Sequence, residues 1–181
     1  MDDPADRQRQ DALYNEAHAE YGPALRRLAR GYEALPDRQA DLLQEMHLEL
    51  WRSLAAFDGR CSLRTWVYRV ANNVGASHVV NSRRRSGPLV DLETLEPSGL
   101  AVRADEEEQA HGRYSAARVA ELIHRLKPID RQVILLHLEG ETAAAIAEVT
   151  GLSAVNVATK VHRIKKFVQQ QYLEGAATTH V

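Results

Sequence analysis

Residues 142–166, TAAAIAEVTGLSAVNVATKVHRIKK, decide the fold by their spacing. Ala147 is a small residue where a first helix must pass close over a second, and Gly151 follows four positions later in the turn. Val157 and Val161 then sit on the inner face of the second helix. This is the pattern of a helix-turn-helix, whose second helix enters a DNA major groove. From Ser153 to Lys166 there is no Asp or Glu, while Lys160, Arg163, Lys165 and Lys166 supply cations that neutralise phosphates and release counterions. A helical pair of this kind also occurs as plain packing, so the rest of the chain has to say what the motif is attached to.

The chain has 181 residues, 27% charged and 44% hydrophobic, enough for one medium or two small globular domains with a buried core. No apolar run approaches the roughly 18 residues of a membrane span. The N-terminus, MDDPADRQRQD, is acidic and polar, opposite to a secretory signal, which predicts a cytoplasmic protein without membrane contact. The single cysteine, Cys61, excludes an internal disulfide and the paired thiols of a structural zinc site. A formal net charge of -2 argues against coating nucleic acid by bulk charge. The charges are segregated instead: acid at the N-terminus and in Asp105–Glu108, base at Arg83–Arg85 and along the last helix.

Residues 86–104, SGPLVDLETLEPSGLAVRA, carry two Pro and two Gly and sustain no helical stripe, so they read as an extended linker between two helical domains. The expectation is an all-α fold: a flexible acidic N-terminus over 1–11, a first domain over 12–85, a linker over 86–112, a second domain over 113–173 and a flexible tail over 174–181. The first domain opens with a helix near Ala12, which Pro23 kinks or restarts. A helix beginning near Pro36 and Asp37 carries Leu43, Met46, Leu50, Leu54 and Phe57 on one side and ends at Asp58 and Gly59. Ser62 then caps a third helix whose apolar face is Leu63, Trp66, Val67, Val70, Ala71, Val74 and His78.

At about 100° per residue, Asn72 points away from that apolar stripe, with Asn73 and Tyr68 on its flanks beside Arg64 and Arg69. Amide, phenol and guanidinium on one face suit unpaired bases, which stack on aromatics and pair with amides while arginines hold the backbone. A solvated helix face is the plainer alternative.

The order DLLQEMHLELW (Asp41–Trp51), FDGRCSLRTWVYRVANN (Phe57–Asn73), a basic run, a linker and LKPIDRQVILL (Leu126–Leu136) leading into the helix-turn-helix resembles a bacterial extracytoplasmic-function sigma factor. The resemblance covers roughly residues 12–172 in collinear order. It implies two helical domains, regions 2 and 4, and a dissociable subunit that gives core RNA polymerase its promoter specificity. Asp41, Gln44 and Glu45 match the segment that docks on the clamp helices of the polymerase's largest subunit. Residues 57–63 match the loop that holds a base flipped from the non-template strand of the -10 element. Asn73 matches a position reading that base, and Trp66, Tyr68 and Arg69 the surrounding WxYR pattern, with Arg64, Asn72, Arg83 and Arg84 beside them; Trp66 is chiefly core.

Residues 153–163 match the helix entered into the -35 major groove. Ser153, Val155, Asn156, Thr159, Lys160 and Arg163 are the expected DNA contacts; Lys160 and Arg163 suit phosphate, and Val155 a thymine methyl. Residues 129–138 match a segment that helps seat the domain on the polymerase flap. In the linker, Asp91, Glu93 and Glu96 fit the acidic residues with which relatives imitate nucleic acid. The family also implies an anti-sigma protein as a possible further partner.

The sequence departs from the family in places. The acidic run before the LLQE stretch is thinned by Arg38, Gln39 and Ala40, and Ser77 and Val80 stand where Asp and Arg are more usual. The chain has no HExxH, GxSxG or phosphate-cradling glycine loop, so neither an enzyme nor a cofactor is expected. The competing reading is a stand-alone helix-turn-helix regulator whose N-terminal helices dimerise or bind an effector.

Overall fold

The computed structural model describes residues 4–82, 89–92 and 116–178, with residues 173–178 described by backbone alone. Three helices form the first domain: α1 (Pro4–Tyr32), α2 (Pro36–Leu54) and α3 (Leu63–Ser82). Leu42, Met46, Leu50 and Leu54 recur every four residues on α2, and all four are buried against α1 and α3. Each such leucine withdrawn from water contributes about 1.5–3 kcal/mol, which is why this stripe fixes the helix's orientation. Tyr21, Leu25, Leu28 and Tyr32 do the same for α1.

α1 begins at Pro4, well before Ala12, and runs unbroken through Pro23. Gln10 and Asp11 bond to α2: Gln10 Nε2 donates to the Trp51 carbonyl (2.6 Å) and Trp51 Nε1 donates to Asp11 Oδ1 (2.8 Å). Pro23 and Ala19 are both exposed, so water can satisfy the Ala19 carbonyl that Pro23 cannot. α2 stops at Leu54, short of Phe57, and residues 55–62 form a loop with Gly59 at φ 76°, a left-handed conformation that favours glycine.

The second domain comprises α4 (Ala116–His124), α5 (Pro128–Leu138), α6 (Ala143–Thr150) and α7 (Ala154–Thr178). Leu122, Leu126, Val133, Leu136, Ile146, Val157, Ile164 and Phe167 form its core. α7 continues past residue 173 to Thr178, beyond the expected end of the domain. Of the linker, Leu89–Leu92 are docked on this domain. The Val90 amide donates to the Arg125 carbonyl (2.7 Å), Leu92 is buried, and Asp91 pairs with Lys127. Glu93 and Glu96 lie outside the described residues.

The two domains pack against one another: α3 touches α5 and α6, and α1 touches α4 and α5. One apolar core runs through both.

Candidate nucleic-acid interface

Ser62 caps α3 as expected, its Oγ accepting from the Thr65 amide (3.0 Å). That cap starts the helix directly after the 57–62 loop. The Phe57 and Trp66 rings meet edge to face at 5.3 Å, and Trp66 Nε1 donates to Ser53 Oγ (3.0 Å), so Trp66 braces the loop against α2. Asp58 accepts from both the backbone and the guanidinium of Arg60, and these bonds, the Arg60 amide first, hold its carboxyl below the usual range. Cys61 is half-buried in the same loop.

The buried face of α3 is centred one position further round than its apolar pattern indicates: Val67, Tyr68, Ala71, Asn72, Gly75 and Val79. Asn72, expected to point away from the apolar stripe toward DNA, lies at its centre with no exposed surface. Its Oδ1 accepts from Tyr32 Oη (2.7 Å) and its Nδ2 donates to the Tyr68 carbonyl (2.7 Å). An amide whose oxygen and nitrogen are both bonded tolerates burial, and Gly75 one turn on leaves room for the Tyr32 ring. A Cβ at position 75 would stand 2.3 Å from Tyr32 Cδ2. Tyr68, expected on the flank, is buried too, and burial pushes its phenol up to about 12. Asn73 is exposed and Arg69 half-buried. Arg64 is exposed, with its guanidinium 5.7 Å from the centre of the Tyr68 ring. Arg83 and Arg84 fall outside the described residues.

In the helix-turn-helix, Thr142 Oγ1 caps α6 by accepting from the Ala145 amide (3.2 Å), and Gly151 ends it at φ 76°. Ser153 Oγ caps α7, accepting from the Asn156 amide (3.2 Å). With Val157, Ile164 and Phe167 buried, Ser153, Val155, Asn156, Thr159 and Arg163 face outward together, Val155 at 74% exposure. Lys160 does not join them. Its Nζ reaches back 2.8 Å to Asp130 Oδ1 on α5, with the carboxylate only 2% exposed. Helical phase explains this, because position 160 lies between Val157 and Ile164 on the inward side. The charge expected for phosphate neutralises a buried acid instead.

On α2, Asp41, Gln44 and Glu45 are exposed and share a face with Leu48, an apolar side chain 46% exposed that sequence reasoning did not pick out.

Sequence reasoning also missed what lies over α3. Glu141 accepts from Arg64 Nε at 2.7 Å, Glu139 takes both Nε and Nη2 of Arg27 (2.7 and 2.6 Å), and Arg69 Nη2 donates to the Glu148 carbonyl (3.1 Å). These pairings span 77, 112 and 79 residues, beyond the reach of local periodicity. Deeper in, Gln132 Nε2 donates to the Asn72 carbonyl (3.1 Å) and Arg131 Nη1 to the Tyr32 carbonyl (3.0 Å). Burial lowers the Arg131 guanidinium to about 10. Among the described residues no cluster of three or more His, Cys, Asp or Glu could hold a metal, and no helix is long and apolar enough to cross a membrane.

Residues 18–85 match the family described as Sigma-70 region 2, and residues 116–168 the one described as Sigma-70, region 4. The ECF RNA polymerase sigma factor SigG of Mycobacterium tuberculosis is 33% identical over 151 residues, a match covering 71% of this chain and 40% of SigG. The chain therefore spans only about two fifths of that relative. RNA polymerase sigma factor CnrH of Cupriavidus metallidurans is 30% identical over 154 residues, covering 81% of this chain and 80% of CnrH. The same fold occurs in the solved complex of CnrH with the cytosolic domain of CnrY (TM-score 0.62, 22% identity, 93% of this chain and 97% of that one). It occurs again in sigma factor RpoE with the anti-sigma factor NepR from Bartonella quintana (TM-score 0.60, 18% identity, 87% and 94%). With both regions matched in order and CnrH covered over 80% of its length, the chain belongs to the extracytoplasmic-function group of sigma-70 family sigma factors.

Proposed function

We propose that the chain binds core RNA polymerase and directs promoter recognition, DNA melting and transcription initiation, without turning over a substrate, in the cytoplasm. The observation that carries this reading is the pairing of two readers on one chain. A capped helix-turn-helix presents Ser153, Val155, Asn156, Thr159 and Arg163 outward, and a separate domain carries Asn73, Arg64 and Arg69 beside a braced loop. A duplex regulator needs only the first of these.

The division of labour follows from the chemistry. Residues 12–85 hold the flipped -10 base, with Asn73 reading its edge and the arginines holding the strand. Residues 113–173 seat α7 in the -35 groove, where Val155 and Asn156 meet bases and Arg163 meets phosphate. Asp41, Gln44, Glu45 and Leu48 form the face toward the polymerase clamp: acids to attract a basic partner and one apolar side chain to be buried there. An anti-sigma protein is a fitting regulator, since CnrH and RpoE are each found with such a partner or its counterpart, CnrY and NepR.

Run-off transcription by core polymerase on a genomic library, with and without the chain, tests the reading. New start sites that depend on the chain are expected. If initiation does not change while the chain alone shifts a duplex site, it is a stand-alone regulator.

A further inference from the structure

A cavity of about 630 Å³ lies between α1 of the first domain and α4, α5 and α7 of the second. That volume falls within the range of small-molecule sites, roughly 300–1,000 Å³. Its wall is aliphatic, lined by Val119, Ile123, Leu135, Leu138, Ile164 and Val168. The floor is narrow: Ile164, Ile123 and Leu135 are 1%, 5% and 6% exposed, whereas Leu138 at the mouth is 60% exposed. An α-helix, about 10 Å across with its side chains, is too wide to reach that floor. A polymethylene chain is thin enough.

The charges around the cavity are all of one sign. Arg27, Arg30 and Lys165 line it, and no Asp or Glu is among the described lining residues. Arg27 is held by two bonds to Glu139. Arg30 on α1 and Lys165 on α7 are exposed and pair with no acid among the described residues. Cations above an aliphatic wall fit an amphiphile with an anionic head, whose carboxylate accepts from guanidinium and ammonium while its chain leaves water. A nucleotide does not suit the site, because no Phe, Tyr or Trp lines the cavity to stack a base.

We propose that this cavity binds one molecule of a medium- or long-chain fatty acid, its chain against Ile123, Leu135 and Ile164 and its carboxylate at Arg30 and Lys165. Binding there needs neither polymerase nor DNA, so it stands whether or not the chain directs promoter recognition.

Displacement of the fluorescent fatty acid cis-parinaric acid from the full chain, with every competitor below its micelle concentration, tests the site. Hexanoate, octanoate and decanoate are expected to compete at one site, each added methylene tightening binding about threefold to fourfold. A flat series overturns the acyl site. Arg30→Gln with Lys165→Gln, both at exposed positions, is expected to weaken decanoate at least about threefold and to leave uncharged decanol unchanged. Equal loss for acid and alcohol, or loss for neither, overturns the anionic ligand.

A variant that fills the cavity reads the same site independently of charge. Ala120 lines the wall and is half-buried, so Ala120→Trp adds an indole where there is room for it. Decanoate affinity is expected to fall at least about tenfold while the helical circular dichroism stays that of wild type. Undiminished competition in the folded variant overturns the site; where the variant loses its helical signal, the chain-length series and the charge pair decide alone. A probe that never binds, or a chain that sediments with phosphatidylglycerol vesicles while the monomeric acids fail to compete, overturns it as well, leaving the wall to a protein segment in the first case and to a lipid surface in the second.

Discussion

Tyr32 Oη donates to Asn72 Oδ1 across 2.7 Å, and both side chains are buried. The bond joins α1 to α3 at the depth where Gln132 of the second domain reaches the Asn72 carbonyl. Tyr32→Phe removes one partner and leaves Asn72 Oδ1 buried without a donor, at a cost of about 1–3 kcal/mol. Urea denaturation should show that loss with an unchanged slope, and a midpoint equal to wild type would contradict the burial of this pair.

Gly75 gives the same contact a steric test. The Cβ of Gly75→Ala would meet the Tyr32 ring at 2.3 Å, and the ring is held by its bond to Asn72. Overpacking of this kind costs about 1–3 kcal/mol, and the melting temperature should fall accordingly. Gly22→Ala is the comparison, because there a Cβ would have its nearest neighbour at 3.9 Å.

The contrast between Asn72 and Asn73 shows where sequence could be read and where it could not. Met46, Leu50, Leu54 and the Gly151 turn are local, set by helical period and backbone conformation, and stand where the pattern put them, whereas Leu42 rather than Leu43 completes the buried row and Phe57 lies past the helix end. Asn72 could not be placed that way, because a polar side chain is assigned to the surface unless its buried partners are known, and one of them, Tyr32, is 40 residues away. Lys160 was misplaced for the same reason: charge suggested phosphate, but Asp130 sits 30 residues upstream in sequence and next to it in space. The bonds from Gln10 and Asp11 to Trp51 join residues about 40 apart, which no N-terminal pattern could reveal.

Asn73→Ala and Asn72→Ala should therefore fail differently. Asn73 is exposed, so its loss should relax discrimination at one -10 base and weaken melting while leaving the unfolding midpoint unchanged. Asn72→Ala should lower the midpoint and leave the ranking of the four bases as it is. Transcription from templates carrying each base at that position checks both; a flat ranking already present in wild type would remove Asn73 from the reading.

Lys160 and Arg163 separate in the same way. Arg163 is exposed on α7, so Arg163→Ala should weaken -35 duplex binding at every sequence alike and reduce the salt slope by about one counterion. Lys160→Ala strands the Asp130 carboxylate, which should cost about 3 kcal/mol of stability as an uncompensated buried charge. Its salt slope should match wild type, and a slope reduced as much as that of Arg163→Ala would return Lys160 to the DNA face.

His124 makes the domain contact sensitive to acid. Its Nε2 lies 2.9 Å from the Arg30 carbonyl, across the α4–α1 contact. Burial holds its pKa below the ordinary 6.5; the Arg30 carbonyl opposes the shift, the Arg131 charge adds to it and Glu33 opposes it. A histidine depressed in the packed state takes up a proton more readily once the contact is broken. Its contribution is thus fully present above about 6.5 and is lost as pH falls through the depressed value. His137 on α5 shifts in the same direction, through burial and then Lys165. Glu33, facing His78, is also lowered: burial raises it, but the Leu35 amide and His78 outweigh burial, so its loss belongs to pH below the ordinary 4.5. With Cys61 replaced, dyes on cysteines at the exposed positions Ser77 and His162 should lose energy transfer between about pH 7.5 and about pH 5.5 as the domains separate. His124→Gln should flatten that response, and transfer that stays constant to about pH 5 in the parent would show that His124 does not gate the contact.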